Sequence, residues 1–247
     1  GPFRAARQMT RAAVFAYHNV GVRCLEVLHA GGVEVTLVVT HEDDANEEIW
    51  FESAAGRART YGFPVVAPQD PNAPDVVQRI RSSAPDILFS FYYRRMLGPR
   101  LLALPRLGAY NMHGSLLPKY RGRSPVNWAI LKGERETGAT LHEMVAKPDA
   151  GRIVDQERVP IGPNDVAREV FDRVTAAAAT VLDRSLPALL SGTAKLVPQN
   201  LAAGSYFGGR RPADGRVDPA WPAPRIPDLV RAVAPPYPGA FCFLSGR

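Results

Sequence analysis

Short apolar runs alternate with longer amphipathic stretches along the first half of the chain. Such runs are typical of strands buried on both faces of a parallel sheet, and they predict strands at 12–17, 33–40, 65–66 and 87–91. A fifth short strand is predicted to begin at Gly108 and to break at Gly114. Apolar residues at helical spacing predict helices at 22–30, 47–61 and 73–83. Strands that alternate with helices form βαβ units, so the pattern predicts an α/β fold with a Rossmann-like, doubly wound, mostly parallel sheet.

The second half continues with a short helix, two strands and one long helix. Residues 126–132 follow Ser124, a preferred N-cap residue, and Pro125, which suits the first helical position. Alternating polarity predicts strands at 137–145 and 153–161. Apolar residues along one face predict a helix over 165–191 that ends at a glycine.

The composition changes at Val197, after which proline and glycine recur. We therefore predict a main domain at 9–196, and a linker with the start of a second, smaller unit at 197–247. The strand-like stretch 240–244 has no evident pairing partner, which predicts that the second unit is truncated. Residues 1–8 begin with Gly-Pro and precede an internal Met9, so we interpret them as the remnant of a cleaved expression tag.

Composition narrows the class of protein. The 247 residues are 46% hydrophobic and 22% charged, as in ordinary globular proteins, and no apolar run is long enough to span a membrane. Cys24 and Cys242 form no CxxC pair, so we expect neither a disulfide framework nor a metal site, and we expect a cytoplasmic protein without a membrane partner. No glycine-rich phosphate loop follows the first strand, which argues against a nucleotide-dependent oxidoreductase or a P-loop ATPase.

The candidate chemistry lies where the fifth strand gives way to a loop. Asn111 and His113 are two positions apart, so their side chains share one face of the strand. Ligands of doubly wound sheets bind at the carboxyl ends of the strands, which is where this pair is placed. An imidazole can accept or deliver a proton and an amide N–H can stabilise an oxyanion, so the pair is suited to acyl transfer.

Two further groups have two interpretations each. Asp149 is either a turn residue, because Pro-Asp-x-Gly is a common turn, or a carboxylate paired with His113. Lys119, Arg121 and Arg123 form either a solvated face or a clamp for a phosphate or carboxylate. The formal charge of +6, or +4 without Arg4 and Arg7, is compatible with an anionic ligand, but it favours an ordinary arginine-rich surface.

The other four histidines carry weaker signals. We interpret His142, in the strand 137–145, as structural or peripheral, and His29 and His41 as surface-helix and loop residues. His18 follows the first strand and is either structural or part of the same crevice as His113.

One long motif resembles a known family. The run Asn-Met-His-Gly-Ser-Leu-Leu-Pro-Lys-Tyr-Arg-Gly-Arg-Ser-Pro at 111–125, followed by Asp-Ala-Gly at 149–151, is similar to the signature of folate-dependent formyltransferases. The resemblance runs from about Ala12 to Arg247. It implies the formyltransferase fold, with a β-rich C-terminal subdomain of which this chain holds the start, and it implies 10-formyltetrahydrofolate as the formyl donor, without a metal.

The resemblance also implies roles for particular residues. His113 is implied to transfer the proton, Asn111 to stabilise the transition state, and Asp149 to raise the pKa of His113. The residues implied to line the folate site are Arg95, Met96, Leu97, Arg123, Val145, Ala146, Lys147, Pro148 and Asp149.

Stretches outside the central motif indicate the acceptor. The segments at 15–18, 89–94, 119–123, 207–212 and 231–234 resemble family members that formylate UDP-4-amino-4-deoxy-L-arabinose for lipid A modification and polymyxin resistance. Methionyl-tRNA formyltransferases share the Asn-x-His core but differ at the first turn and at 207–212. We therefore expect small-molecule partners, a sugar nucleotide and a folate, and expect nucleic acid only under the tRNA alternative. Another amino-sugar nucleotide, or an inactive binding module, stays open.

Overall fold

The main sheet of the protein has seven strands. The computed structural model describes residues 9–243. The strand order of this sheet is β3-β2-β1-β4-β5-β7-β8, and a separate two-stranded sheet pairs β6 with β9. The strands are β1 (Arg11–Ala16), β2 (Glu34–Val39), β3 (Val65–Val66), β4 (Ile87–Phe91), β5 (Ala109–His113), β6 (Arg121–Gly122), β7 (Glu136–Glu143), β8 (Ile153–Pro160) and β9 (Tyr206–Phe207).

Seven α-helices accompany these strands in the described residues. They are α1 (His18–Ala30), α2 (Ala54–Thr60), α3 (Pro74–Ser82), α4 (Pro99–Leu102), α5 (Pro125–Leu131), α6 (Ala167–Ser191) and α7 (Arg225–Val233). Strand β1 pairs in parallel with β2 and β4, and β2 with β3, whereas β7 and β8 are antiparallel. The predicted mostly parallel α/β sheet is therefore confirmed.

The described chain forms two compact units, each built from separate segments. The first holds residues 9–44, 51–111 and 182–195, and the second holds 45–50, 112–181 and 196–243. The division into domains at 9–196 and 197–247 stays a prediction, and residues 1–8 lie outside the described part.

The core of the first unit explains why its strands are uninterrupted apolar runs in the sequence. Val14 and Phe15 of β1 and Leu88 of β4 have no exposed surface, and Leu25 and Leu28 of α1 are equally buried. Burying one such side chain contributes about 1.5–3 kcal/mol, so an apolar strand with helices to cover it is the stable arrangement.

The predicted helix at 47–61 is too long, because α2 begins only at Ala54. The Ser53 hydroxyl accepts a hydrogen bond from the Gly56 N–H at 3.0 Å, which caps the helix there. One residue earlier, the Glu52 N–H donates to the Asn19 side chain at 2.8 Å, so it does not donate to a backbone carbonyl as it would inside a helix. The start of the helix is therefore set by two side-chain hydrogen bonds that periodicity does not reveal.

Two other predictions change in detail. Helix α5 begins at Pro125 as predicted, but Ser124 has a φ of 51° and makes no side-chain cap. The predicted strand at 240–244 is absent from the described residues, where Phe241 forms only an isolated bridge to Arg216, and Leu244 lies outside them. Among residues 9–243, every helix is too short or too polar to cross a bilayer.

Candidate active site

His113 ends β5 and is buried, with 7% of its surface exposed. Its Nε2 lies 2.7 Å from the backbone carbonyl oxygen of Tyr120. Because a carbonyl only accepts, Nε2 carries the hydrogen and donates it. The other ring nitrogen, Nδ1, is therefore the one that faces Asp149. Asn111 lies two positions earlier in the same strand.

Asp149 lies in the loop between β7 and β8, and the structure brings its carboxylate to His113. Asp149 Oδ1 is 3.5 Å from His113 Nδ1 and also 3.5 Å from Nε2 of His142, while Oδ2 accepts a hydrogen bond from the Gly122 N–H at 2.9 Å. Of the two interpretations of Asp149, the geometry matches the carboxylate beside His113. The residue has a φ of 52°, so it also makes the turn.

Several opposing effects set the pKa of Asp149. Burial raises it, but the charge of the facing His113, the hydrogen bond and charge of His142, and the Gly122 N–H together outweigh burial. The net result is a pKa well below the ordinary range of a carboxyl group. Asp149 is therefore an anion at physiological pH, and it stabilises positive charge on the rings beside it.

His142 was expected to be structural or peripheral, and the structure corrects this interpretation. The residue is 2% exposed, its Nδ1 lies 2.9 Å from the Glu143 carbonyl oxygen, and its Nε2 faces Asp149. Strand β7 lies next to β5 in the sheet, although β6 and α5 separate them in sequence. Sequence periodicity predicts strands but not their order, so it does not show that the end of this strand lies beside His113.

A proton on either imidazole would stabilise the contact of His113 and His142 with Asp149, and we call these three side chains the proton-holding cluster. In each ring one nitrogen donates to a backbone carbonyl, so the nitrogen that faces Asp149 presents a lone pair unless it is protonated. The lone pairs of these two nitrogens would repel the Asp149 carboxylate. A proton on His113 or His142 turns this repulsion into attraction, which makes the cluster suited to proton transfer.

Residues from β7 and β8 hold the loop that follows His113. The Thr140 hydroxyl donates to the Ser115 carbonyl at 2.6 Å, and the Ser115 hydroxyl donates to the Lys119 carbonyl at 2.7 Å. The Gln156 amide donates to the Leu117 carbonyl at 2.9 Å. These bonds fix the path of the loop and hence the Tyr120 carbonyl that orients His113.

Gln199 was not singled out in the sequence, yet it fixes the Asp149 loop. Its side-chain amide donates to the backbone carbonyls of Asp149 at 3.0 Å and Gly151 at 2.6 Å. No spacing rule links a glutamine to a turn about 50 positions away, so only the fold reveals the contact.

Gly122 is required for the approach of β9 to the catalytic loop. It has a φ of 100°, and a Cβ there would collide with the carbonyl of Phe207. We expect Gly122→Ala to lower the free energy of unfolding by about 1–3 kcal/mol, because an L-residue is strained in this conformation. Chemical denaturation measures the loss. The matched control is Gly208→Ala, where a Cβ meets no atom within 4 Å, and an equal loss there would contradict the explanation.

We also expect an effect from His142→Gln. The substitution removes one of the groups that lower the pKa of Asp149, so that pKa should rise toward its ordinary value and kcat should fall about 10- to 100-fold, as for loss of a charged hydrogen bond. Steady-state kinetics measures kcat, and the carboxyl titration is followed by NMR. An unchanged kcat would remove His142 from the proton-holding cluster.

The residues implied to bind folate lie in two segments. Arg95, Met96 and Leu97 follow β4, where Met96 is 56% exposed and its carbonyl accepts a hydrogen bond from the Asn72 amide at 2.9 Å. The Asn72 side chain also accepts from the Gly98 N–H at 2.6 Å, so one side chain holds this backbone at two points. In the second unit, Pro148 and Asp149 are half-buried and the exposed members are Arg123, Val145, Ala146 and Lys147. Their contact with folate stays a prediction.

His41 contributes to the order of the segment after β4. Its Nε2 accepts the Arg94 N–H at 2.9 Å, and its ring stacks on Tyr93 with centroids 4.0 Å apart. Burial, and then the charges of Arg94 and Arg95, lower its pKa to about 4, so it stays neutral and keeps accepting. His41 is therefore structural, as expected, but it supports a predicted binding segment.

The side chain of His18 is also buried among its neighbours. It is 2% exposed and stacks on Phe51 at 3.9 Å, and its Nδ1 accepts the Asn19 N–H at 2.9 Å. These contacts favour the structural interpretation. Within residues 9–243, no group of three or more His, Cys, Asp or Glu side chains is arranged to hold a metal ion.

Fold and site together define a class of protein: an α/β enzyme with a mostly parallel sheet and a buried imidazole–carboxylate cluster at a strand end. Comparison with family models then gives the particular family. Residues 11–186 match the model described as formyl transferase, and residues 210–247 match the formyl transferase C-terminal domain. The chain therefore belongs to the formyltransferase family, and the predicted enzyme class is confirmed.

Solved structures share the fold. An N-formyltransferase from Helicobacter canadensis matches with a TM-score of 0.72 and 22% identity, over 91% of this chain and 80% of that one. A sugar N-formyltransferase from a Shewanella species matches with a TM-score of 0.76 and 18% identity, over 96% and 93%. A 4-N formyltransferase from Francisella tularensis gives 0.75 and 17%, also over 96% and 93%.

Proposed function

We propose that this chain transfers the formyl group of 10-formyltetrahydrofolate to the amine of an amino-sugar nucleotide, with UDP-4-amino-4-deoxy-L-arabinose as the acceptor. The observation that carries the formyl transfer is the buried contact of Asp149 with His113 and His142. His113 lies two positions after Asn111 in β5. Membership of the formyltransferase family supports the reaction class. The Helicobacter canadensis structure is a complex with folinic acid and dTDP-3-aminofucose, which supports both substrate classes.

The chemistry requires one oxyanion donor and one proton path. The amine nitrogen attacks the formyl carbon, and charge develops on the formyl oxygen, to which the Asn111 amide donates a hydrogen bond. A bond from the amine nitrogen to the formyl carbon forms and the bond from that carbon to folate N10 breaks. One proton leaves the amine and one reaches N10, giving a formamide and tetrahydrofolate.

The cluster at His113 is suited to move this proton. His113 accepts positive charge because the anionic Asp149 lies 3.5 Å from its Nδ1. The Tyr120 carbonyl fixes the ring orientation through Nε2. A general acid–base of this kind contributes about 10²- to 10⁴-fold to the rate.

The stretch 207–212 supports the sugar-nucleotide acceptor. It resembles the formyltransferase domain of the bifunctional polymyxin-resistance protein ArnA, which formylates UDP-4-amino-4-deoxy-L-arabinose. In the structure, the Phe207 carbonyl accepts the Arg123 N–H at 3.0 Å, and the Phe207 ring stacks on Tyr120 and Trp128 with centroids 5.4 and 4.7 Å apart. The stretch that separates this subgroup from methionyl-tRNA formyltransferases therefore packs on the catalytic loop.

A substrate panel tests the proposal. The protein is incubated with 10-formyltetrahydrofolate and, separately, UDP-4-amino-4-deoxy-L-arabinose, other 3- and 4-amino-sugar nucleotides, or charged initiator tRNA, and tetrahydrofolate release is followed. We expect the highest kcat/KM with the arabinose nucleotide. Preference for another amino sugar would correct the acceptor alone. Formylation of the tRNA only would overturn the sugar proposal. Release of tetrahydrofolate in an assay without any acceptor would show hydrolysis and would contradict the proposed formyl transfer.

A further inference from the structure

Arg121 is a nine-tenths buried residue whose guanidinium has no acceptor among residues 9–243. The residue is 9% exposed, its Nε is fully buried without a hydrogen-bond partner, and within residues 9–243 its side chain makes no hydrogen bond, ion pair or ring contact. By contrast Arg231, in the same unit, donates to Asp228 at 2.7 Å and to the Asp165 carbonyl at 2.8 Å. A buried cation is costly unless it is paired, so Arg121 lacks the partner that its burial demands.

Both peptide neighbours of Arg121 bond to the catalytic cluster. The carbonyl of Tyr120 accepts from His113 Nε2 at 2.7 Å, and the N–H of Gly122 donates to Asp149 Oδ2 at 2.9 Å. The Arg121 backbone is therefore fixed between the two residues that carry the reaction. Arg121 is adjacent in the chain to both backbone groups that contact the catalytic side chains.

The nearby acids already have partners. Glu134 accepts the Tyr120 hydroxyl at 2.8 Å and lies 3.6 Å from the Lys119 ammonium. Asp149 is held by two imidazoles and the Gly122 N–H. Because neither carboxylate is paired with Arg121, an oxyanion from a bound substrate is the group that would complete it.

We propose that Arg121 binds the diphosphate of the nucleotide acceptor, through the phosphate next to the sugar. This rests on the proposed function and deepens it. In an amino-sugar nucleotide only the sugar ring separates the reacting amine from that phosphate. In the folate donor, a benzoyl ring and an amide separate N10 from the glutamate carboxylates. The phosphate is thus the substrate anion nearest to the reacting atoms, and Arg121 is the unpaired cation whose backbone neighbours contact His113 and Asp149.

Binding of nucleotides to Arg121→Met tests the proposal without turnover. Calorimetry compares UDP with uridine, and dTDP with thymidine, on the protein loaded with 5-formyltetrahydrofolate. We expect the wild type to prefer the diphosphates and the variant to lose about 10- to 100-fold of diphosphate affinity, the range for a charge-assisted hydrogen bond, with nucleoside and folate affinity unchanged. In kinetics, KM for the acceptor should rise by a similar factor.

Thermal unfolding separates this role from a structural one. Without nucleotide, Arg121→Met should melt no lower than the wild type, because an unpaired buried charge has been removed. With UDP or dTDP the wild type should gain more in Tm than the variant. Arg158→Met, at an arginine whose side chain is 72% exposed, is the matched control and should behave as the wild type. Should the Met variant not fold, Arg121→Lys, which keeps the charge but loses the bidentate fork, should still show weakened diphosphate binding.

Three outcomes would overturn the proposal. Unchanged diphosphate affinity in the variants would show that Arg121 does not bind the phosphate, even when the wild type formylates an amino-sugar nucleotide. Loss of folate affinity instead would assign Arg121 to the donor carboxylate. A wild type that binds no diphosphate and formylates no amino-sugar nucleotide would remove the proposed acceptor and this inference together.

Discussion

Replacing His113 with alanine is expected to lower kcat for formyl transfer about 10²- to 10⁴-fold, the usual contribution of a general acid–base. The ring is the buried group whose Nδ1 faces Asp149 and whose Nε2 is oriented by the Tyr120 carbonyl. Without it, the proton released by the amine has no positioned acceptor. Substrate binding should change little, because the interaction is needed mainly in the transition state.

Single-turnover kinetics with saturating folate and acceptor measures this loss at the chemical step. Circular dichroism shows whether the variant keeps its fold. His29→Ala serves as the control, since His29 is an exposed histidine that stacks on Tyr61 and should leave kcat unchanged. A folded His113→Ala enzyme with nearly normal turnover would exclude this residue from proton transfer.

Asp149→Asn is expected to lower kcat by about 10²-fold or more, since the amide keeps the shape but loses the charge that stabilises the imidazolium. The substitution also replaces an acceptor of the Gly122 N–H by a weaker one. Folate and nucleotide affinities are measured in parallel. If Asp149→Asn turned over as fast as the wild type, the carboxylate would have only a structural role.

The same variant changes how stability depends on pH. The native pKa of Asp149 lies below its unfolded value, so the ionised carboxylate stabilises the fold fully at pH values above the ordinary carboxyl pKa of about 4. This contribution is lost as the pH falls toward the native pKa. The difference in unfolding free energy between wild type and Asp149→Asn should therefore shrink as the pH falls below about pH 4.

Chemical denaturation at a series of pH values measures that difference. The control is Asp172→Asn, at a half-exposed carboxylate paired with Arg168 across one helical turn, for which the difference should be small at every pH. A constant difference between the wild type and Asp149→Asn down to pH 3 would contradict a lowered native pKa.

The regular elements could be predicted because their signals are local. Apolar residues in β1 and β4 are buried on both faces, so the strands appear as uninterrupted apolar runs. Asn111 and His113 lie in one strand, and the period of two residues places their side chains on one face without reference to the rest of the chain. The long motif at 111–125 also carried the family resemblance, which the family model over residues 11–186 confirms.

The remaining features depend on contacts between residues that are distant in sequence. His142 and Asp149 come to lie beside His113 because β7 lies next to β5, and Gln199 fixes a turn some 50 positions earlier. Arg121 was one of three similar cations in the sequence, and its burial distinguishes it from the exposed Lys119 and Arg123. Local patterns thus determined the strands, the helices and the Asn–His pair. Strand order and long-range packing, which have no signature within a sequence window, decided which other groups surround that pair.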